Sequence, residues 1–195
     1  MVNPDVPAKT VPELIALAKA QPNKLNYASG GNGSPLHLVG ELFKMVTKTD
    51  IQHVPYKGSS PAAAAVIGGE AQMVFGGVVS TIPFVQSGRL RALAVTSPRR
   101  LDVIPDVPTL SELGVKGVEA SSWYGLYAPA GTPAPVIEKL NGVMVSLAAD
   151  KDYRDQLSKH GQEALASTPS ELSEFTRQEF ARWTKVIKTA DIKPD

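Results

Sequence analysis

Between residues 25 and 96 one pattern repeats: a short run of strand-forming residues, a glycine- or serine-rich turn, then a helix start. Residues 25–28 lead into Ser29-Gly30-Gly31-Asn32-Gly33-Ser34. Ser34 then caps a helix whose first position is Pro35, with Leu38, Leu42 and Phe43 at helical spacing. Residues 51–55 lead into Tyr56-Lys57-Gly58-Ser59-Ser60, and Ser60-Pro61 opens an alanine-rich helix closed by Gly68-Gly69. Residues 72–75 lead through Gly76-Gly77 to a helix expected over 81–87 and ended by Gly88, and residues 90–96 supply a fourth strand. Strands that alternate with helices cannot be joined by hairpins, so they imply a mainly parallel sheet covered on both faces.

The pattern changes near residue 120. Residues 122–128 read as extended, and Ala130-Gly131-Thr132-Pro133 as a stop followed by a helix start. Helices are expected over 134–149, 151–160 and 169–190, the last opened by the capping box Thr168-Pro169-Ser170-Glu171. A similar box, Thr10-Val11-Pro12-Glu13, opens a helix near the start. One weak strand, 163–166, lies among the late helices. The expected fold class is therefore α/β, with a complete doubly wound lobe over residues 3–120. Residues 121–195 form a helix-rich part whose own sheet is mostly missing. Its apolar stripe Leu140, Val143, Met144 and Leu147, and the residues Phe175, Phe180, Trp183 and Val186, need a cover, and self-association is one way to supply it.

The 195 residues carry 20 basic and 19 acidic side chains, a net charge of +1, with no basic stripe for nucleic acid or an anionic membrane surface. Any preference for an anion must come from local geometry. Hydrophobic residues make up 43%, enough for a packed core, yet no apolar run approaches a membrane span. The absence of cysteine excludes disulfides, thiolate metal sites and cysteine nucleophiles. Met1-Val2-Asn3-Pro4-Asp5 has neither a basic n-region nor an apolar h-region, so no export signal is expected within this chain.

The first glycine-rich turn combines close backbone approach with the unpaired amides and partial positive charge of a helix N-terminus, which suits a carboxylate or phosphate. Ser29, Asn32 and Ser34 add side-chain donors. His37, one turn into the helix, either donates to the same anion or makes a structural hydrogen bond. An ordinary tight turn with an N-cap also fits these residues. The second turn repeats the design with Lys57 as a cation, Gly58 for backbone approach and Tyr56 as an aromatic wall; singly, Lys57 reads as solvated and Tyr56 as core. Gly76 and Gly77 again permit backbone approach, or simply a flexible turn. Chemistry-bearing signatures are poor. There is no Gly-x-Ser-x-Gly elbow and no phosphate-loop lysine, and Leu36 stands where a dinucleotide fingerprint needs its third glycine. His37, His53 and His160 are scattered and show no metal spacing. No metal and no cofactor are called for.

In order along almost the whole chain come Val2-Asn3-Pro4, Leu25-Asn26-Tyr27-Ala28-Ser29 with its glycine turn and His37-Leu38, and Val54-Pro55-Tyr56-Lys57-Gly58. Gly88-Arg89-Leu90-Arg91-Ala92-Leu93-Ala94-Val95-Thr96-Ser97, Pro105-Asp106-Val107-Pro108-Thr109 and Trp123-Tyr124-Gly125-Leu126 follow, then Ala128-Pro129-Ala130-Gly131-Thr132-Pro133. In sequence and spacing these resemble the solute receptors of tripartite tricarboxylate transporters, the Bug receptors. The resemblance implies a periplasmic-binding-protein-like fold of type II, two lobes closing on a small carboxylate, a periplasmic location, and membrane transporter subunits as partners of the full-length protein. It implies no catalysis, no nucleic acid and no direct membrane insertion.

Carried over residue by residue, the resemblance assigns the ligand site to Ser29, Gly30, Gly31, Asn32, Gly33, Ser34 and His37, with Lys57, Gly58 and Gly76 lining the cleft. Many members carry an acid at or near the position of Gly76. Its absence here argues against a ligand amine and leaves room for a bulkier ligand. The resemblance also implies that members begin with an export signal and most of a first lobe, so this chain reads as a C-terminal fragment. The competing readings are an α/β enzyme that binds an anionic group at residues 29–34, and a sensor or interaction module.

Overall fold

The computed structural model describes residues 1–193. It divides into two units, Met1–Ser122 with the residues from Val186 onward, and Trp123–Lys185. The first unit is built on three strands, β1 (Asn26–Ser29), β2 (Gln52–Pro55) and β3 (Met73–Val74), in the order β2-β1-β3 and all parallel. Helix α1 (Val11–Ala20) precedes β1. Helices α2 (Pro35–Thr47), α3 (Ser59–Ile67) and α4 (Val78–Gln86) follow β1, β2 and β3 in turn.

Successive strand residues face opposite sides of a sheet. Ala28 and Val74, paired in register, pack with Ala62 and Val66 of α3 and with Ala71 and Leu90, all 2% exposed or less. Tyr27, fully buried, takes the other face, where its ring meets Phe75 edge-on at 5.6 Å and lies over Gly40 of α2. A Cβ at Gly40 would stand 2.3 Å from Tyr27 Cε2, so the close crossing of α2 over β1 depends on glycine there. Both faces are thus covered, as a doubly wound sheet requires.

The fourth expected strand, 90–96, does not form as one element. Residues 1–3 enter beside β3 instead: Val74 N–H donates to Met1 O at 2.9 Å and Asn3 N–H to Gln72 O at 3.0 Å. Val2 and Arg91 then exchange both backbone bonds as an antiparallel bridge. Further along, Val95 pairs with Thr109, Val95 N–H donating to Pro108 O and Leu110 N–H to Val95 O, both at 2.9 Å. Two different short partners divide the segment, so no continuous ladder develops. Asn3 fastens the inserted edge, its Nδ2 donating to Val66 O at 2.7 Å. Helix α4 begins at Val78, three residues earlier than expected, because Gly77 ends the turn and serves as its cap.

The second unit contains α5 (Ala134–Ala149), α6 (Lys151–Ser158) and most of α7 (Pro169–Thr189). The expected strand at 163–166 is absent, since no neighbouring strand offers it backbone partners; Leu165 is exposed. Residues 123–128 form no ladder either, but two aromatic rings tie them to α7. Trp123 meets Phe175 edge-on at 5.0 Å, and Tyr127 Oη shares a 2.6 Å hydrogen bond with Thr176 Oγ1. Thr168 and Glu171 cap α7 reciprocally, Glu171 N–H donating to Thr168 Oγ1 at 3.2 Å and Thr168 N–H to Glu171 Oε2 at 2.8 Å. Neither α5 nor α6 buries a residue, and Leu140, Val143 and Leu147 on one face of α5 are 42%, 50% and 38% exposed.

The two helical glycines give a paired prediction. Gly40→Ala should cost α2 about 1–3 kcal/mol by overpacking. Gly142→Ala, where an added Cβ meets nothing within 4 Å, should stabilise α5 by about 0.5–1 kcal/mol. Native-state amide exchange in the two helices checks both, and a neutral Gly40→Ala would contradict the packing described.

Candidate ligand-binding site

Because β1, β2 and β3 run parallel side by side, the turns that leave their C-terminal ends lie along one sheet edge. The first two touch. Tyr56 N–H donates to Ser29 O at 2.9 Å and Gly58 N–H to Gly30 O at 3.2 Å, and a Cβ at Gly30 would lie 3.3 Å from Gly58 C. The third turn is held by Thr81, fully buried, whose Oγ1 donates to Gly77 O at 2.8 Å. A Cβ at Gly76 would meet Thr81 Cγ2 at 2.4 Å, so with Thr81 beneath it position 76 accepts only glycine.

Each of these turns delivers a helix N-terminus, and the first-turn amides of a helix have no intrahelical partner. Three of the other four helices satisfy such amides from within the chain, α5 having neither a side-chain cap nor a first-turn acid. α1, α6 and α7 have side-chain caps in Thr10, Asp150 and Thr168, and acids in their first turns at Glu13, Asp152 and Glu171. At the sheet edge the treatment differs. α2 keeps a cap, Ser34 Oγ accepting from His37 N–H at 3.3 Å, but has no first-turn acid. α3 and α4 are capped by Gly58 and Gly77, which supply no side-chain bond, and neither has a first-turn acid. No carboxylate in the first turns of α2, α3 and α4 offsets the partial positive charge of these N-termini.

The glycine-rich turn is organised from beneath. Gly31 and Gly33 have φ of +125° and +70°, a region other residues rarely adopt. Ser29, fully buried, accepts from Gly31 N–H at 3.2 Å and shares a 2.6 Å hydrogen bond with His53 Nε2. At the far end of the turn, Gly33 N–H donates to His37 Nδ1 at 3.1 Å. The two imidazoles stack 3.7 Å apart and 9° from parallel, with Tyr27 stacked on His53 at 4.9 Å. Tyr27 Oη donates to Glu41 Oε1 at 2.7 Å, and Lys44 Nζ holds both oxygens of that carboxylate at 2.8 and 2.9 Å. Burial, then the hydrogen bond to Glu41 and its charge, raises the Tyr27 hydroxyl far above its ordinary value, so it remains a donor. Burial lowers His37 below the ordinary imidazole value; Glu41 opposes this and Lys44 adds to it. With Nδ1 accepting, neutral His37 carries its proton on Nε2, 3.9 Å from Glu41 Oε1.

All ten residues singled out in the sequence lie on or just behind this edge, in different roles. The Ser29 hydroxyl is used internally. His37 turns its Nδ1 to Gly33 and supports the loop from behind. Lys57 is exposed, and Gly58, at φ +110°, ends the second turn. Tyr56 leans away, its Oη donating to Glu70 at 3.3 Å. His53, Tyr27 and Glu41 were missed. The pairing Tyr27↔His53 would have found His53, because it puts His53 on the Tyr27 face of the neighbouring strand. Ser29 and His53 have the spacing of a nucleophile and its base, but Ser29 has no exposed surface for a substrate to reach. Among the described residues no group of three or more His, Asp or Glu side chains is placed to hold a metal.

Comparison with known proteins agrees with this architecture. A family model described as the tripartite tricarboxylate transporter family receptor matches residues 1–192. Protein BugT of Bordetella pertussis is 33% identical over 193 residues, which cover 99% of this chain and 59% of BugT. R. palustris Rpa4515, solved with adipate, superposes on all of this chain with a TM-score of 0.89 at 34% identity, this chain covering 65% of it. MatC (Rpa3494) of Rhodopseudomonas palustris, solved with bound malate, superposes on 95% with a TM-score of 0.76 at 30% identity, with 64% of it covered. This chain thus spans roughly three fifths to two thirds of these relatives' lengths. Its sheet, its edge turns and its match along residues 1–192 make it a member of the tripartite tricarboxylate transporter receptor family, a family of solute-binding receptors and not of enzymes.

Proposed function

We propose that this chain is the larger part of a periplasmic receptor that holds a small carboxylate at the shared edge of β1, β2 and β3 and delivers it to a tripartite membrane transporter. On this reading residues 3–120 are its complete lobe and residues 121–195 the returning part of the other, the residues from Val186 onward being grouped with the first unit. The observation that carries the reading is the set of three helix N-termini at one edge, none with an acid in its first turn and two capped only by glycine. Such ends attract anions. The carboxylates in the two solved relatives, adipate and malate, are of the class that such an edge accepts.

Within this site the residues divide by role. Gly58 and Gly76 let a ligand approach the backbone at the starts of α3 and α4. Gly30, Gly31, Asn32, Gly33 and Ser34 form the adjoining wall, and Ser29 and His37 hold that wall in shape. Lys57 adds a solvated positive charge. With Gly76 locked against Thr81, no carboxylate side chain faces a ligand from that position, so an acid without an amine is the expected ligand.

Binding of adipate and malate, measured by titration calorimetry, tests the reading. Ser59→Pro removes the first amide of α3 at a helix position that tolerates proline. It should weaken binding about 2- to 10-fold, one net hydrogen bond of about 0.5–1.5 kcal/mol. Lys57→Ala should cost less, about 0.2–1 kcal/mol, and this part should fade with added salt. Absence of binding to either acid at millimolar concentration, or indifference to Ser59→Pro, would contradict the site.

A further inference from the structure

The stacked imidazoles bear on more than packing. Each imidazole reaches one end of the glycine-rich turn: His53 through Ser29 to Gly31 N–H, and His37 directly to Gly33 N–H. The two contacts differ in chemistry. A serine hydroxyl can donate or accept, so the His53 contact survives either tautomer. Gly33 N–H only donates, so the His37 contact exists only while Nδ1 keeps its lone pair. A proton on Nδ1 would set N–H against N–H and expel the Gly33 amide.

We propose that the His37–His53 pair is a proton-sensitive latch on the glycine-rich turn that walls the carboxylate site, holding it in shape while His37 Nδ1 is bare and releasing it, with loss of ligand affinity, when His37 is protonated. This rests on the carboxylate reading given above. His37 and His53 are positioning residues in it, since neither needs to touch the ligand.

The surroundings of His37 set the direction of the response. On α2 stand Glu41, which favours the charged ring, and Lys44, which opposes it; on β1 the Tyr27 hydroxyl is un-ionised; on β2 His53 is stacked face to face; and after β3 Phe75 contributes only an uncharged ring against Tyr27. Glu41, hydrogen-bonded by Tyr27 and paired with Lys44, still favours the imidazolium, and Lys44 partly offsets it. Burial outweighs it, and the latched ring resists protonation. In a released loop the ring regains solvent and its ordinary value of about 6.5. The released form therefore binds the proton more readily. The latch holds fully above about pH 6.5 and weakens as pH falls below it, levelling only beneath the lowered value of the latched ring.

The test combines a ligand-free readout with a binding readout. In wild-type protein without ligand, nitrogen-detected titration of His37 from pH 8 to 5, followed together with the Gly31 and Gly33 amide signals, should show Gly33 moving with the His37 midpoint and gaining solvent exchange. Gly31, held through Ser29, should move less. In the presence of adipate, affinity should fall at least fivefold from pH 7.5 to 5.5 in wild type beyond the fall seen in His37→Asn. That variant's amide oxygen can accept from Gly33 yet takes up no proton, and the comparison cancels the protonation of adipate itself. A Gly33 amide indifferent to His37 titration overturns the latch whatever the ligand does. So do equal falls in affinity in wild type and His37→Asn. Absence of adipate binding at both pH values would overturn the carboxylate reading instead, leaving the Gly33 titration to decide loop release. Because that titration uses wild-type protein, a variant that fails to fold does not remove the test.

Discussion

The parallel pairing of three short strands is the constraint on which the site depends. Strands that all point one way must each be followed by a crossover, and each crossover here begins at the same edge with a turn and a helix N-terminus. An antiparallel arrangement would have sent alternate turns to opposite ends. The strands are only two to four residues long, so the ladder contributes few hydrogen bonds. Packing on the two faces holds it: small side chains of α3 against Ala28 and Val74 on one side, and Tyr27 under Gly40 of α2 on the other.

The same arrangement explains why the proposed ligand edge is polar in its backbone and carries no acid in the first turns of its helices. A charged side chain at a helix N-terminus competes with a ligand of the same sign. The helices that do not follow a strand carry their own acids at Glu13, Asp152 and Glu171, except α5, which has neither acid nor side-chain cap. Those after β1, β2 and β3 carry none. Behind the edge, Tyr27, Glu41, Lys44 and the two imidazoles form a network that spends its polar groups on one another and on the glycine loop.

Much of this was legible in the sequence because turn chemistry is local. Ser34-Pro35, Gly68-Gly69, the Thr168 capping box and the repeated strand-to-glycine passages each state their own geometry, and the helices of the second unit were found to within two residues. What failed depended on partners distant in the chain. Residues 90–96 have strand composition, but whether they extend a sheet depends on Val2 and Thr109. Residues 163–166 have it too, and lack a neighbour. His53 looked isolated because only the strand register brings it over His37, sixteen residues away. The roles within the glycine loop were equally hidden: no spacing rule states that Ser29 and Gly33 N–H are engaged from beneath, which shifts the open N-termini to α3 and α4.

The most direct test of the account is amide chemical-shift mapping of the chain titrated with adipate. The account predicts that the largest shifts fall on the first-turn amides of α3 and α4, at Ser59, Ser60, Val78 and Val79, with smaller ones in residues 30–34 and none at the N-termini of α1, α6 and α7. Shifts confined to those acid-bearing ends, or spread without focus at saturating adipate, would contradict it.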